Sequence, residues 1–201
     1  GSEIAWFKNN GNGTFGKNTI ANVGDYLSSI NAADFDGDGD IDIVTSNISG
    51  AIYLYKQSGN ENFSQIRVNG GSDVDVFPID LDQDGDIDLV GASYTSDYVK
   101  WYRNDGSDNW TDHNISTTFD GANSVYATDV DGDGDIDVMA SGAGSLADEF
   151  SWFENTSATF SGGYIQLSFT ERTIGDGGTS NGNFEQPKSI YAEDDDGDGD
   201  V

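Results

Sequence analysis

Short stretches of alternating apolar and polar residues, rich in aromatic and β-branched side chains, recur along the whole chain. One type contains a pair of large apolar residues and reads IAWFKN, IYLYKQ, VKWYRN and FSWFEN, starting at Ile4, Ile52, Val99 and Phe150. A second type is β-branched and then small, and reads IDIVTS, IDLVGAS and IDVMASG. Alternation with a period of two predicts β-strands. No stretch shows sustained helical periodicity with caps, so the pattern predicts an all-β chain.

The strand patterns repeat at a nearly constant interval. One large apolar position recurs at spacings of 48, 47 and 51 residues, at Trp6, Leu54, Trp101 and Trp152. A further aromatic follows each Gly/Asn-rich turn, at Phe15, Phe63, Trp110 and Phe160. Self-similarity near 49 residues indicates a repeat architecture, and four short antiparallel strands per repeat are typical of a β-propeller blade. The large apolar residues are therefore expected to pack between neighbouring blades.

Charge and composition narrow the classes of function. The chain has 201 residues, with 8 Lys plus Arg against 37 Asp plus Glu, and a formal charge of −29. Such a charge repels nucleic-acid phosphate and anionic lipid, so neither is expected as a partner. No apolar run has the length of a membrane span. The absence of Cys excludes disulfides and thiolate metal sites, and the one histidine, His113, makes multi-histidine metal sites impossible.

The acidic residues are concentrated in four segments with one template, D-x-D-x-D-G-x-x-D. The segments read DFDGDGDID, DLDQDGDID, DVDGDGDID and DDDGDGD, and occupy residues 34–42, 80–88, 129–137 and 194–200. We number them the first to fourth loops; the fourth ends before its ninth position. Low hydrophobic content with high charge is typical of disorder. Because this charge is concentrated and the aromatic content is 12%, the pattern predicts order that depends on neutralisation of the acid.

The template is suited to Ca²⁺, which takes six to eight oxygen ligands. Side chains at positions 1, 3, 5 and 9 and the backbone carbonyl at position 7 would supply them, while Gly at position 6 allows a sharp turn. The side-chain ligands are predicted to be Asp34, Asp36, Asp38, Asp42, Asp80, Asp82, Asp84, Asp88, Asp129, Asp131, Asp133 and Asp137. The predicted carbonyl ligands are Asp40, Asp86 and Asp135. The truncated fourth site would use Asp194, Asp196, Asp198 and Asp200.

These loops do not have the pattern of EF-hands. Position 12 is Thr45, Gly91 or Ala140 instead of Glu, and a β-branched stretch follows each complete loop. We therefore expect a strand, not a helix, to leave the loop. Three complete calcium sites and a truncated fourth are predicted, in which calcium is structural and fixes the hairpin between the first two strands of a blade.

The combination of D-x-D-G-D-G-x-x-D loops, a hydrophobic strand, W-F/Y-x-N and N-G-x-G-x-F resembles the FG-GAP/VCBS repeats. These repeats occur in the propellers of integrin α-subunits and in secreted bacterial surface proteins. The resemblance implies calcium-binding β-propeller blades over nearly the whole chain. It says less about function, because such propellers serve adhesion, glycan binding and, as appendages, enzymes. Gln83 and Leu54 depart from the usual Gly and Trp; Gln83 is expected to be harmless because position 4 points outward.

The chain is expected to form a single repeat array over residues 1–201. It divides into a half-blade at 1–27, blades at about 28–73, 74–121 and 122–174, and a half-blade at 187–201. Three interpretations of the half-blades remain open: a segment of a larger propeller, closure as four blades, or an array whose ends pair with other copies. We favour a segment of a longer protein, because no natural domain boundary falls inside a metal loop.

Six N-x-S/T sequons are candidate glycosylation sites. About half that number is expected by chance from the Asn, Ser and Thr content, and Asn-rich turns with Thr-rich strands are the alternative explanation. The acceptor positions are Asn12, Asn47, Asn62, Asn109, Asn114 and Asn155.

We expect a non-catalytic, extracellular calcium-binding module for adhesion or for building a surface layer or filament. Its partner would be a protein or glycan, or other copies of the chain through their half-blades. Secretion or surface exposure is expected because weak calcium sites fill at extracellular concentrations. The alternative is the propeller portion of a secreted carbohydrate-active enzyme or lectin. His113 is expected to be a solvated residue in a turn, which argues against catalysis.

Overall fold

The structure is a computed structural model that describes residues 1–144, 148–161, 164–176 and 189–192. The described residues form β-strands and loops, without a helix. In these ranges there is accordingly no helix that could cross a membrane. The strands are β1 (Ser2–Asn9), β2 (Phe15–Val23), β3 (Leu27–Ala33), β4 (Asp42–Asn47), β5 (Ala51–Gln57), β6 (Phe63–Gly70), β7 (Asp75–Ile79), β8 (Asp88–Ser93), β9 (Tyr98–Asn104), β10 (Trp110–Ser116), β11 (Ala122–Thr128), β12 (Asp137–Ala143), β13 (Asp148–Ser161) and β14 (Tyr164–Asp176).

The strands form four antiparallel sheets in which neighbours in the chain are neighbours in space. Strands β3–β6, β7–β10 and β11–β14 each make a four-stranded sheet, and among the described residues β1 pairs with β2 alone. We call the three larger sheets the first, second and third blades and the β1–β2 pair the half-blade. The predicted fold class, all-β with propeller-type four-stranded blades, is confirmed.

The second strand of each blade, directly after an acidic loop, is the most buried. Strand β8 (DLVGAS) and strand β12 (DVMASGA) are buried at every residue, and β4 is nearly so. Each has a sheet partner on both edges, and β8 also packs against the first blade through Leu89 and against the third through Val90 and Ala92. The acidic loop is thus attached to the most rigid part of its blade.

In the part of the chain that the structure describes, two apolar cores fill the spaces between the blades. The core between the first and second blades contains Phe35, Val44, Ile52, Leu54, Val76, Leu89 and Tyr102. The core between the second and third contains Leu81, Val90, Val99, Trp101, Phe119, Val125, Val138 and Phe153. The predicted packing of the large apolar residues between blades is confirmed for Leu54 and Trp101, which are 1% and 2% exposed. Trp6 and Trp152, at the same position of their repeats, are half-buried, and Phe7 beside Trp6 is 60% exposed.

The first strands of successive blades lie side by side. The Asn31 side chain donates to the Val76 carbonyl (2.7 Å), and the rings of Phe77 and Tyr126 lie 4.7 Å apart. The row continues into the fourth repeat, where the Tyr191 ring lies 5.4 Å from that of Tyr126. Of the half-blade predicted at 187–201, only residues 189–192 are described.

Candidate metal centres

Each blade holds one cluster of three carboxylates where its first strand ends and its second begins. Oxygen atoms from positions 1, 3 and 9 of the loop lie within 4.8 Å of one another in each cluster. The clusters are Asp34–Asp36–Asp42, Asp80–Asp82–Asp88 and Asp129–Asp131–Asp137. The same three template positions therefore meet in three successive blades.

Backbone geometry shapes the loop around the position-1 carboxylate. This carboxylate accepts a hydrogen bond from the position-6 N–H at 3.0 Å in all three loops, as in Asp34 with Gly39. The glycines at position 6 have φ of +90°, +99° and +96°, in the left-handed region that other residues rarely adopt. The predicted need for glycine at this turn is confirmed.

The position-9 carboxylate joins the loop to the third strand of its own blade. Asp88 Oδ1 accepts from the Asn104 N–H (2.8 Å), and Asp88 Oδ2 accepts from the Leu81 N–H (3.2 Å) and the Trp101 indole (2.9 Å). Asp42 and Asp137 make the equivalent backbone bonds. Sequence reasoning missed this second role, because backbone N–H donors leave no signal in residue type.

Burial gives these carboxylates unusual electrostatics. Burial raises the pKa of Asp88 to about 7, although its hydrogen bonds favour the ionised form. It also raises the pKa values of Asp42, Asp82 and Asp137. Close packing of ionised carboxylates out of water is unfavourable, and a bound divalent cation would reverse that preference.

The donor set fits a hard cation. Buried oxygens of two carboxylates, Asp34 Oδ1 and Asp82 Oδ1, have no hydrogen-bond partner. Asp82 is 6% exposed, so the lone pairs of its Oδ1 are withdrawn from water without compensation. An ion coordinated by carboxylate oxygens would satisfy them, which is the chemistry that Ca²⁺ and Mg²⁺ prefer.

The remaining predicted ligands are at positions 5 and 7 of the three described loops and in the fourth loop. The position-5 residues Asp38, Asp84 and Asp133 lie outside the three-carboxylate clusters, and each accepts a hydrogen bond from the position-7 N–H at 2.8–3.1 Å. The position-7 carbonyls of Asp40, Asp86 and Asp135 remain predicted ligands. The fourth loop, with Asp194, Asp196, Asp198 and Asp200, lies outside the described residues.

Two loops are contacted by a basic side chain from the third strand of the same blade. Arg103 Nε lies 2.6 Å from Asp82 Oδ2 and its Nη2 lies 2.8 Å from Asp84 Oδ2. Lys56 Nζ lies 3.1 Å from Asp36 Oδ2. The sequence carried one signal for these contacts: alignment of the aromatic strands places Lys56 and Arg103 at the same position.

The position-4 residue of the second loop also differs from expectation. Gln83 is exposed, as predicted, but its φ is +56°, where Gly37 and Gly132 occupy the other loops. Its side-chain amide donates to the carbonyl of Gly134 in the third loop (2.6 Å). The second and third loops are therefore in direct contact.

His113 does not lie in a turn, so that expectation was wrong. It lies on β10, because the preceding turn ends at Asn109 and a strand begins at Trp110. The side chain is exposed and its ring lies 4.8 Å from that of Trp101.

The sequon asparagines are in two kinds of environment. Asn47 and Asn155 are 6% and 2% exposed, and their side chains bond to backbone atoms of Ala51 and Ile136. A glycan at either position would require the side chain to leave these contacts. The other four are exposed: Asn12, Asn62, Asn109 and Asn114.

Comparison with known proteins agrees with the repeated geometry. The family model of the FG-GAP-like repeat matches three overlapping segments, residues 1–45, 34–90 and 80–140. A search of curated proteins finds no match. Together the three matches cover well over half of the sequence, and the chain belongs to the FG-GAP-like repeat family.

Proposed function

We propose that this protein is a non-catalytic, extracellular repeat module that binds structural Ca²⁺ at its three described loops. Its role would be adhesion to a protein or glycan, or the building of a surface layer or filament. The observation that carries the proposal is the recurrence of one three-carboxylate cluster at the same place in three successive blades. A catalytic site, by contrast, is normally a single constellation of groups.

A structural role follows from where the carboxylates are attached. Position 1 ends the first strand of a blade and position 9 begins the second, so an ion shared by both closes that hairpin. The open chain cannot bring these oxygens together, so calcium would bind only the folded form and stabilise it by mass action. Sites of this kind with dissociation constants of about 10⁻⁴–10⁻³ M suit extracellular calcium.

The pairing and exposure of the half-blade, as far as the described residues show them, support the assembly role. Among the described residues β1 pairs only with β2, and Phe7 and Phe15 of the half-blade are 60% and 63% exposed. Unpaired edges are templates for strand addition. Light scattering in millimolar Ca²⁺ and in EGTA tests this role. Calcium-dependent oligomers would support a layer or filament. A monomer in both conditions would contradict assembly and support adhesion to another protein or a glycan instead.

The calcium proposal is tested by titration calorimetry and thermal unfolding of the whole chain. We expect at least three sites and a melting temperature that falls in EGTA. Asp131→Asn should remove one site, whereas Glu61→Gln, the same charge change at an exposed turn, should remove none. A melting temperature indifferent to EGTA would contradict the proposal. Calcium-dependent cleavage of any polysaccharide in a panel would contradict the non-catalytic assignment.

A further inference from the structure

One strand position faces the metal loop in every blade. The antiparallel pairs Ile43–Tyr55, Leu89–Tyr102 and Val138–Phe153 share one register. The next residue on the third strand therefore lies level with the position-9 aspartate of its loop. That residue is Lys56 in the first blade, Arg103 in the second and Glu154 in the third.

In the second blade this position carries a fixed counter-cation. The Arg103 guanidinium bridges Asp82 and Asp84, and the Asp82 side chain is fully buried beneath it. The arginine uses Oδ2 of Asp82, while Oδ1 has no partner. The second loop can thus bind an ion through Oδ1, but only with a permanent positive charge on the same carboxylate.

In the first blade the cation is shared between two blades. Lys56 Nζ lies 3.1 Å from Asp36 Oδ2 and 3.0 Å from Asp108 Oδ1 in the outer turn of the second blade. A lysine ammonium is a single point charge without the two-pronged geometry of arginine. Its hold on the first loop is accordingly weaker than that of Arg103 on the second.

In the third blade the same position carries the opposite charge. Glu154 pairs with Arg172, whose guanidinium also lies 5.6 Å from the Trp152 ring centroid. The charge of Arg172 acts on Asp131 only from a distance. Among the residues that the structure describes, no ion pair reaches a carboxylate of the third loop.

We infer that the residue at this position sets the calcium affinity of its own loop, so that the third loop fills first and the second last. The inference rests on the calcium-binding function proposed above. A guanidinium bound to ligand carboxylates repels an incoming divalent cation and offsets the charge that attracts it. Glu154, by contrast, brings no positive charge to the third loop and is itself the ion-pair partner of Arg172. Without calcium, the same arginine at position 103 offsets part of the negative charge of the second loop and fixes Asp82 and Asp84.

The test is calcium binding by the whole chain, measured against a competing chelator. Arg103→Glu should raise the affinity of one site about tenfold, and Glu154→Arg should lower that of another about tenfold. Lys8→Glu is the matched control: it changes the same strand position in the half-blade, where the one ion pair of Lys8 within the described part of the chain is with Glu61, at 4.0 Å. This control should leave all three affinities unchanged.

To assign an affinity change to one loop, each substitution is combined with a second substitution that removes calcium binding by a single loop. The effect of Arg103→Glu should persist with Asp129→Asn and disappear with Asp80→Asn. Thermal unfolding in EGTA adds a readout without calcium: Arg103→Glu should lower the melting temperature, because it places a like charge against Asp82. If Arg103→Glu does not fold, Arg103→Gln should still raise the affinity about threefold.

The outcomes separate the two proposals. Binding at three sites with affinities that Arg103→Glu and Arg103→Gln leave unchanged would overturn this inference and leave the calcium function standing. Absence of calcium binding by the unmodified chain would overturn the function itself.

Discussion

The second and third loops hold the same three carboxylates in the same arrangement, yet one is compensated and the other is not. In the second, Asp82 is 6% exposed beneath Arg103. In the third, Asp131 is exposed, and the equivalent of Arg103 is Glu154. The loop motif thus determines which oxygens meet, while the charge around them is determined by a strand about twenty residues further along the chain. Identical motifs in one protein need not be equivalent sites.

The largest expected effect separates the structural role of position 9 from metal binding. Asp88→Ala leaves the Asn104 and Leu81 N–H groups and the Trp101 indole without an acceptor. We expect a loss of about 3–5 kcal/mol in the free energy of unfolding, even in EGTA. Denaturant unfolding in EGTA measures this directly. A loss seen only with calcium present would mean that Asp88 acts solely as a ligand.

The second and third repeats should also differ in how their stability depends on pH. Asp73, seven residues before the second loop, is fully buried and accepts from the Tyr102 hydroxyl (2.7 Å), where the third repeat has Ala122. Burial raises the pKa of Asp73 to about 6, although the Tyr102 and Tyr98 hydroxyls and the charge of Lys100 oppose the rise.

The folded protein therefore retains the Asp73 proton between about pH 4 and 6, where the unfolded chain has lost it. This group makes stability fall as pH rises through that window, by up to about 3 kcal/mol, with no further change above it. The difference between the unmodified chain and Asp73→Asn, measured by denaturant unfolding in saturating calcium, should show this slope. A difference that does not vary with pH would contradict the assignment.

Substitution of the position-3 aspartate should affect the second and third loops differently when calcium is removed. Asp131→Asn should lower the free energy of unfolding by about 2 kcal/mol in millimolar calcium and leave it unchanged in EGTA, because the third loop loses only its ion. Asp82→Asn should also cost about 1 kcal/mol in EGTA, because it weakens the pair with Arg103. Paired melts of the two variants, with and without calcium, make the comparison. Equal behaviour in EGTA would show that Arg103 contributes nothing to the calcium-free loop.

The smallest effect concerns the contact between these two loops. Gln83→Ala keeps a non-glycine residue in the left-handed backbone conformation but loses the hydrogen bond to Gly134. It should lower the free energy of unfolding by about 1 kcal/mol. Gln83→Gly loses the same hydrogen bond but relieves the strain of the left-handed backbone. The two effects nearly cancel, so the free energy of unfolding should hardly change. Equal stabilities of the two variants would mean that the left-handed backbone at Gln83 carries no cost.

The fold and the carboxylate clusters could be predicted from the sequence because both depend on local, repeated signals. Strand alternation and the 49-residue interval predict the blades, and Gly at position 6 predicts the turn. The role of Asp88 in joining loop to strand could not be predicted, because its partners are mostly backbone groups. The contact of Arg103 with Asp82 had only an indirect signal, the shared alignment of Arg103 and Lys56, because the contact itself depends on strand register. The burial of Asp73 had no signal, because it depends on packing between distant segments.

The face-to-face stacking of the blades has a consequence for how the molecule opens. Among the described blades, each sheet packs on the next through an apolar core, so cooperativity is passed from blade to blade, as in other repeat proteins. The half-blade makes most of its contacts within its own pair of strands, and its Phe7 and Phe15 side chains are exposed. Fraying should therefore start there, and amide hydrogen exchange should be fastest in β1 and β2 and slowest in β8, which has a blade on either side.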